Sequence, residues 1–313
     1  MRLLYTSDPV RGAVWQAVLA ADAPDIAFVT SPADALAPGI DPRGIRYLVA
    51  WNPPQALLKA LPDLEVIFCV GAGIDQFDLA SLPRGVRLVR MLEPGIVEGM
   101  VEYVCMAALA AHRGLIGYLG AQRAGLWQPV APVPAAQRSI GIMGTGQLGT
   151  AVLHALKPFG FALHAWNRSA RTIEGVTVHA GQAGLDAFLA ASDILVCLLP
   201  LTNETRRIVC RDTLSRLPAG ATIINVGRGG HLVEQDLLDL LDSGHLAGAF
   251  LDVFDAEPLP ADHPFWQHPG IVLTPHIASV TRPETAARAV IANIRRYEAV
   301  EAMQGEVNTA TGY

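Results

Sequence analysis

The chain has 313 residues, 51% of them hydrophobic and 17% charged, with a formal net charge of −6. That length accommodates two domains with a large core, and the composition excludes a disordered chain. The acidic balance, with no basic stripe, excludes a nucleic-acid surface.

The N-terminal MRLLYTSDP runs straight into a strand-like stretch with no secretory pattern. RLLYT, IAFVT, RYLVA, EVIFCV and VRLVRML read as strands rich in β-branched residues, with helical pieces such as GAVWQAVLAA between them. This alternation predicts a parallel α/β sheet. A long helical pattern over residues 97–123 follows, and its apolar part meets His112 and Arg113 before it spans a bilayer. The proline-dense WQPVAPVPAAQ then marks a crossing between domains.

From Ser139 the alternation restarts. SIGIM, FALHAW, DILVCLL, ATIINV, GAFLDV and IVLTP are six strand candidates, which fits a doubly wound dinucleotide domain. A last apolar-periodic helix over residues 283–303 is expected to pack back on the N-terminal half. The expected division is residues 1–98 with 281–313 as a substrate domain and 99–280 as a dinucleotide-binding domain. The cysteines Cys69, Cys105, Cys197 and Cys210 form no CxxC pair, and three lie in apolar runs. Buried thiols in a reducing cytoplasm, in a soluble protein with no membrane segment, are the expectation.

SIGIMGTGQLGTAVLHAL carries Gly144-Thr145-Gly146-Gln147-Leu148-Gly149 between a strand pattern and a helix pattern. Its glycines suit a tight turn, close approach of backbone to a pyrophosphate, and close packing of helix on strand. The next strand ends at AWNRSAR, where a carboxylate would ordinarily accept from the ribose 2′-OH of NAD and repel the 2′-phosphate of NADP. Asn167 removes that repulsion, while Arg168, Ser169 and Arg171 offer donors to a phosphate. NADP(H) is therefore the preferred cofactor expected, with NAD(H) the alternative; solvated loop arginines are the plain reading of the same residues.

Three strand ends carry polar residues that a fold alone does not require. INVGRGGHLVE holds Arg228, GAFLDVFDAEPLP holds Asp252 and Glu257, and IVLTPHIAS holds His276. Ligands of open α/β sheets bind beyond the carboxyl ends of the strands, where all three segments point. An Arg that grips a carboxylate and polarises a carbonyl, a His that donates a proton, and a carboxylate that keeps that His charged together suit hydride transfer to a 2-oxo acid. Each alone also reads as a helix-end cation, a loop histidine or a surface acid. The remaining histidines, His231 among them, show no metal-ligand spacing, and no metal site is expected.

Together with the glycine fingerprint, LPLTNETRRIV, INVGRGG, LDVFDAEPLP and LTPHIAS resemble the D-2-hydroxyacid dehydrogenase family across the whole second half. LVAWNPP, VGAGID, WQHP and the C-terminal GY resemble more narrowly a branch that reduces glyoxylate and hydroxypyruvate with NADPH. The resemblance implies two Rossmann-like or flavodoxin-like parallel-sheet domains with the active site in the cleft between them, and a homodimer. It implies Arg228 as substrate-binding cation, His276 as acid/base and Glu257 as the partner of that histidine. Asp252 matches the residue facing the nicotinamide carboxamide, Pro200 and Thr202 the loop on the adenosine side, and Val226 and Gly227 the nicotinamide lining. Ala278 falls in the same cofactor-binding set, at a position where relatives often carry glycine. Ala72 and Gly73 offer N–H groups to the substrate carboxylate, and Trp51 either walls the pocket or lies in the core. The expected function is NADPH-dependent reduction of a small anionic 2-oxo acid, glyoxylate to glycolate and hydroxypyruvate to D-glycerate. Two other readings stand beside it: a dehydrogenase for another or bulkier 2-oxo acid, and a catalytically silent NAD(P)-sensing protein.

Overall fold

The computed structural model of the chain describes residues 1–308, and the GY pair at Gly312 and Tyr313 lies outside the described residues. The chain forms two compact units, Met1–Ile96 with the segment from Val280 onward, and Val97–Ser279.

The first unit is built on a parallel sheet of β1 (Arg2–Thr6), β2 (Ala27–Thr30), β3 (Ile45–Ala50), β4 (Val66–Cys69) and β5 (Arg87–Val89), in the order β2-β1-β3-β4-β5. Its central strands are buried almost throughout, as continuous apolar runs must be when helices cover both faces. The helix Pro9–Asp22 starts with Pro9 behind an N-cap, Asp8, whose carboxylate accepts from the Arg11 N–H. The helix Pro283–Glu298 packs against it, with Arg288 paired to Asp22 at 2.9 Å and Arg295 to Asp25 at 2.7 Å. This helix ends five residues before the position read from its periodicity. Val300 stands there with φ 60°, a left-handed backbone that no helix continues through.

The second unit holds seven parallel strands: β6 (Ser139–Met143), β7 (Ala162–Asn167), β8 (Thr177–Ala180), β9 (Ile194–Cys197), β10 (Ala221–Asn225), β11 (Leu246–Leu251) and β12 (Ile271–Leu273). Their order is β12-β11-β10-β9-β6-β7-β8, so the direction of sheet growth reverses between β6 and β9. Six strands were expected here. The seventh, β8, is a four-residue edge strand bounded by Gly175 and Gly181, too short and too exposed for its pattern to declare it. The single helix expected over 97–123 is two, Pro94–His112 and Leu115–Arg123, because Gly114 adopts φ 66° between them. WQPVAPVPAAQ is not a crossing between units. It lies inside the second unit as an irregular segment with one three-residue turn, Ala135–Gln137. The helix Pro94–His112 is long and apolar enough by composition to cross a membrane, yet Met100, Tyr103, Val104, Ala107 and Ala108 along it are buried in a core of this unit.

His164 on β7 and His179 on β8 stack side by side, with His164 Nδ1 3.3 Å from His179 Nε2. Burial first, then the neighbouring imidazole, lowers the pKa of His164 from its ordinary 6.5. The unfolded chain therefore takes up the proton first as pH falls, so the contribution is complete above about pH 6.5 and is lost below it. Thermal midpoints measured from pH 7.5 down to 5.5 are expected to fall for the native chain and to fall less for His164→Leu. Parallel curves would remove His164 as a cause.

Candidate active site

The glycine loop leaves β6 and opens the helix Gln147–Leu156. A Cβ on Gly149 would lie 2.0 Å from the Gly144 carbonyl oxygen, so helix and loop close on each other only with glycine there. Gly146 differs, because a Cβ there would meet no protein atom within 4 Å. The protein itself does not require glycine at 146, whereas a phosphate approaching the first N–H groups of the helix does. The loop thus fits a dinucleotide. Thr145 is buried, Leu148 faces the core, and Gln147 is exposed.

Asn167 ends β7, and its side-chain amide donates to the Ser169 carbonyl at 3.2 Å. Arg171 reaches back to the glycine loop, donating through Nη1 to the Thr145 carbonyl and, at 3.2 Å, to its hydroxyl. Arg168 is exposed at the same edge. One acid does stand near it. The Thr202 hydroxyl first, then Glu204's own amide and the Arg168 charge, hold the Glu204 carboxyl below its ordinary value. Pro200 and Thr202 lie in the loop after β9, and Thr205 ties them together, donating to the Pro200 carbonyl at 2.6 Å and accepting from the Thr202 amide at 2.8 Å.

The proposed catalytic residues follow three neighbouring strands. Arg228 comes after β10, Glu257 after β11 and His276 after β12. Val226 is buried, and Gly227 leads into Arg228, whose Nη1 donates to the Gly227 carbonyl at 2.8 Å. A Cβ on Gly229 would lie 1.9 Å from the Phe254 carbonyl carbon, so the loop carrying Arg228 rests directly on the loop leading to Glu257. Glu257 Oε1 accepts from the Phe254 N–H at 2.9 Å, and Oε2 lies 2.7 Å from His276 Nδ1. The carboxylate accepts from Nδ1, which leaves Nε2 as the nitrogen of His276 available for chemistry. Both side chains are partly open to solvent.

The family model for the NAD binding domain of D-isomer specific 2-hydroxyacid dehydrogenases matches residues 105–278. Glyoxylate/hydroxypyruvate reductase A of Yersinia enterocolitica is 43% identical over 273 residues, covering 85% of this chain and 87% of the relative. The chain belongs to the D-isomer specific 2-hydroxyacid dehydrogenases, a family of NAD(P)-dependent enzymes. Among solved structures, a D-isomer specific 2-hydroxyacid dehydrogenase of Xanthobacter autotrophicus Py2 in complex with NADPH and MES has a TM-score of 0.95 at 37% identity, covering 100% of this chain and 99% of that one. The NADPH-dependent glyoxylate/hydroxypyruvate reductase of Sinorhizobium meliloti, in complex with NADP and sulfate, has a TM-score of 0.90 at 35% identity, covering 100% and 99%.

In this dehydrogenase Asp252 is almost fully buried, at 1% exposure, and carries a load that its strand-end position did not announce. Its Oδ1 accepts from the Thr274 hydroxyl at 2.6 Å and the Ile277 N–H at 2.8 Å, and its Oδ2 from the Ala278 N–H at 2.8 Å. Tyr103 OH lies 2.6 Å from the same Thr274 hydroxyl. The carboxylate therefore fixes the segment that carries His276, which itself has φ 55°. In sequence Asp252 stands out only as a cofactor contact, and no motif marks Thr274 and Tyr103, a threonine and a helix tyrosine, as partners.

In the first unit of the dehydrogenase, Trp51 follows β3 and is 44% exposed, which rules out the core reading. Its ring covers Gly71, where a Cβ would stand 2.6 Å from Trp51 Cζ3, and Gln76 Nε2 donates to its carbonyl at 3.0 Å. Ala72 and Gly73 come directly after that glycine, half-buried.

Proposed function

We propose that this chain is an NADPH-preferring reductase of small 2-oxo acids, forming glycolate from glyoxylate and D-glycerate from hydroxypyruvate. The observation that carries the reading is the Glu257–His276 pair at 2.7 Å, with Glu257 on the loop that abuts the Arg228 segment. A nicotinamide cofactor, when bound, would supply the hydride. Arg228 holds the substrate carboxylate and polarises the carbonyl. His276 gives the proton on Nε2 to the carbonyl oxygen as that oxygen gains charge. Glu257 orients the ring through Nδ1 and balances the imidazolium. Asp252 and Val226 would border a nicotinamide. Names of relatives that act on glyoxylate and hydroxypyruvate support this substrate class. The deciding assay follows loss of nicotinamide absorbance for NADPH and NADH against glyoxylate, hydroxypyruvate and a bulkier 2-oxo acid; no turnover with either small acid sinks the reading.

Asn167, Arg168, Ser169 and Arg171 form the edge that prefers the 2′-phosphate, and the NADP-bound relatives support this. Replacing Asn167 by Asp together with Arg168→Ala is expected to shift the NADPH/NADH ratio of kcat/KM toward NADH by about tenfold or more, since one charged hydrogen bond contributes roughly 1.5–3 kcal/mol. An unchanged ratio would make this edge an ordinary surface loop. A second copy of the chain is the proposed partner. Leu126, Val130 and Trp127, the last 98% exposed, give the second unit an apolar surface segment that suits such an interface. The cytoplasm is the proposed location, supported by Cys69, Cys105, Cys197 and Cys210, which are free thiols among the described residues.

A further inference from the structure

We propose that His231 is a positioning residue that locks the substrate-binding Arg228 to the nucleotide-side Pro200–Thr205 loop; this rests on the role given to Arg228 above. His231 is fully buried, at 0% exposure, and closes the three-residue turn Gly229–His231 behind β10. Its Nδ1 accepts the Arg228 backbone N–H at 3.0 Å. A ring nitrogen that accepts carries no proton, so the proton resides on Nε2. That nitrogen lies 3.3 Å from the Pro200 carbonyl oxygen and donates to it. One rigid ring thus links two loops by an acceptor at one end and a donor at the other.

Both ends matter to the site. Arg228 is pinned at its amide by His231 and at its carbonyl by Asn225 Nδ2, at 3.1 Å, so its backbone has little freedom to shift. Gly227 keeps the ring close, since a Cβ there would stand 3.0 Å from His231 Nδ1. The loop after β9 abuts the glycine loop, because a Cβ on Gly144 would lie 2.8 Å from the Leu198 carbonyl oxygen and the Leu198 amide donates to Met143 at 2.9 Å. The backbone supports the same link, with the Val209 amide donating to the His231 carbonyl at 2.9 Å. Displacing the ring therefore moves the guanidinium's anchor on one side and the nucleotide loop on the other.

Asparagine and glutamine each reproduce one end of the ring. Asn places an oxygen near Nδ1 and retains the acceptor for the Arg228 amide; Gln places an amide nitrogen near Nε2 and retains the donor to Pro200. For His231→Asn the glyoxylate KM is expected to stay close to that of the native chain, while the Kd of NADPH, read by quenching of tryptophan fluorescence without substrate, rises about tenfold. For His231→Gln the pattern is expected to reverse, with NADPH Kd retained and glyoxylate KM raised about tenfold, kcat falling with it. A merely structural histidine moves both parameters together in both variants, and that result overturns the proposal, as does no change in either. If only one variant folds, by its circular dichroism and thermal midpoint, its own pair of values decides in the same way. Arg228→Ala is measured alongside. Native glyoxylate kinetics in that variant would reject the role of Arg228 itself, whereas a damaged Arg228→Ala with unsplit His231 variants rejects only the link.

Discussion

Replacing His276 by alanine is expected to lower kcat for glyoxylate reduction by about 10²–10⁴-fold, the range a positioned general acid contributes, while NADPH binding stays unchanged. Glu257 Oε2 is engaged with His276 Nδ1, and Oε1 already accepts from the Phe254 amide at 2.9 Å, so the carboxylate is held where it orients the ring. His276→Asn is the sharper variant, since its amide still bonds Glu257 but presents no acidic proton where Nε2 was. Circular dichroism and the thermal midpoint distinguish loss of the acid from loss of shape. A variant within a few-fold of native kcat would dismiss His276 as the proton donor.

Arg228→Ala is expected to reduce kcat/KM for glyoxylate by about 10³-fold, at the upper end of what removal of one oxyanion-stabilising donor costs, because the same group also binds the carboxylate. KM rises and kcat falls together, which is the signature of a contact made in the ground state and strengthened in the transition state. Arg228→Lys recovers only part of the loss, since an ammonium supplies the charge without the planar fork. The backbone around position 228 is held by Asn225 and His231 independently of the side chain, so both variants are expected to keep the native thermal midpoint. Near-native kcat/KM in the alanine variant would overturn the assignment.

How far these residues could be read from sequence depends on the range of the interactions that place them. The glycine loop and the long apolar strands declare themselves locally, through turn glycines and runs of β-branched residues. β8 does not, because four half-exposed residues at a sheet edge acquire strand character only from pairing with β7. Gly114 looked tolerable in a helix until its left-handed backbone broke it, and the prolines of 127–137 suggested a boundary that the contacts place elsewhere. Arg228, Glu257 and His276 were visible as polar residues at strand ends. The contact between Glu257 and His276 spans 19 residues and depends on how two loops meet. Spacing carries no signal for His231, since what marks it is burial and two partners on different loops. The Glu204 carboxylate near Arg168 escaped for the same reason.

Asp252 accepts three hydrogen bonds from residues 274 to 278, two of them from backbone amides on the far side of His276. Fixing a residue's backbone costs about 1–2 kcal/mol in conformational entropy. In this segment that cost is met once, when the chain folds, and not at each encounter with substrate. The acid is consequently presented as a rigid feature of the second unit, and the free energy of ligand binding remains available for orienting the reacting carbonyl.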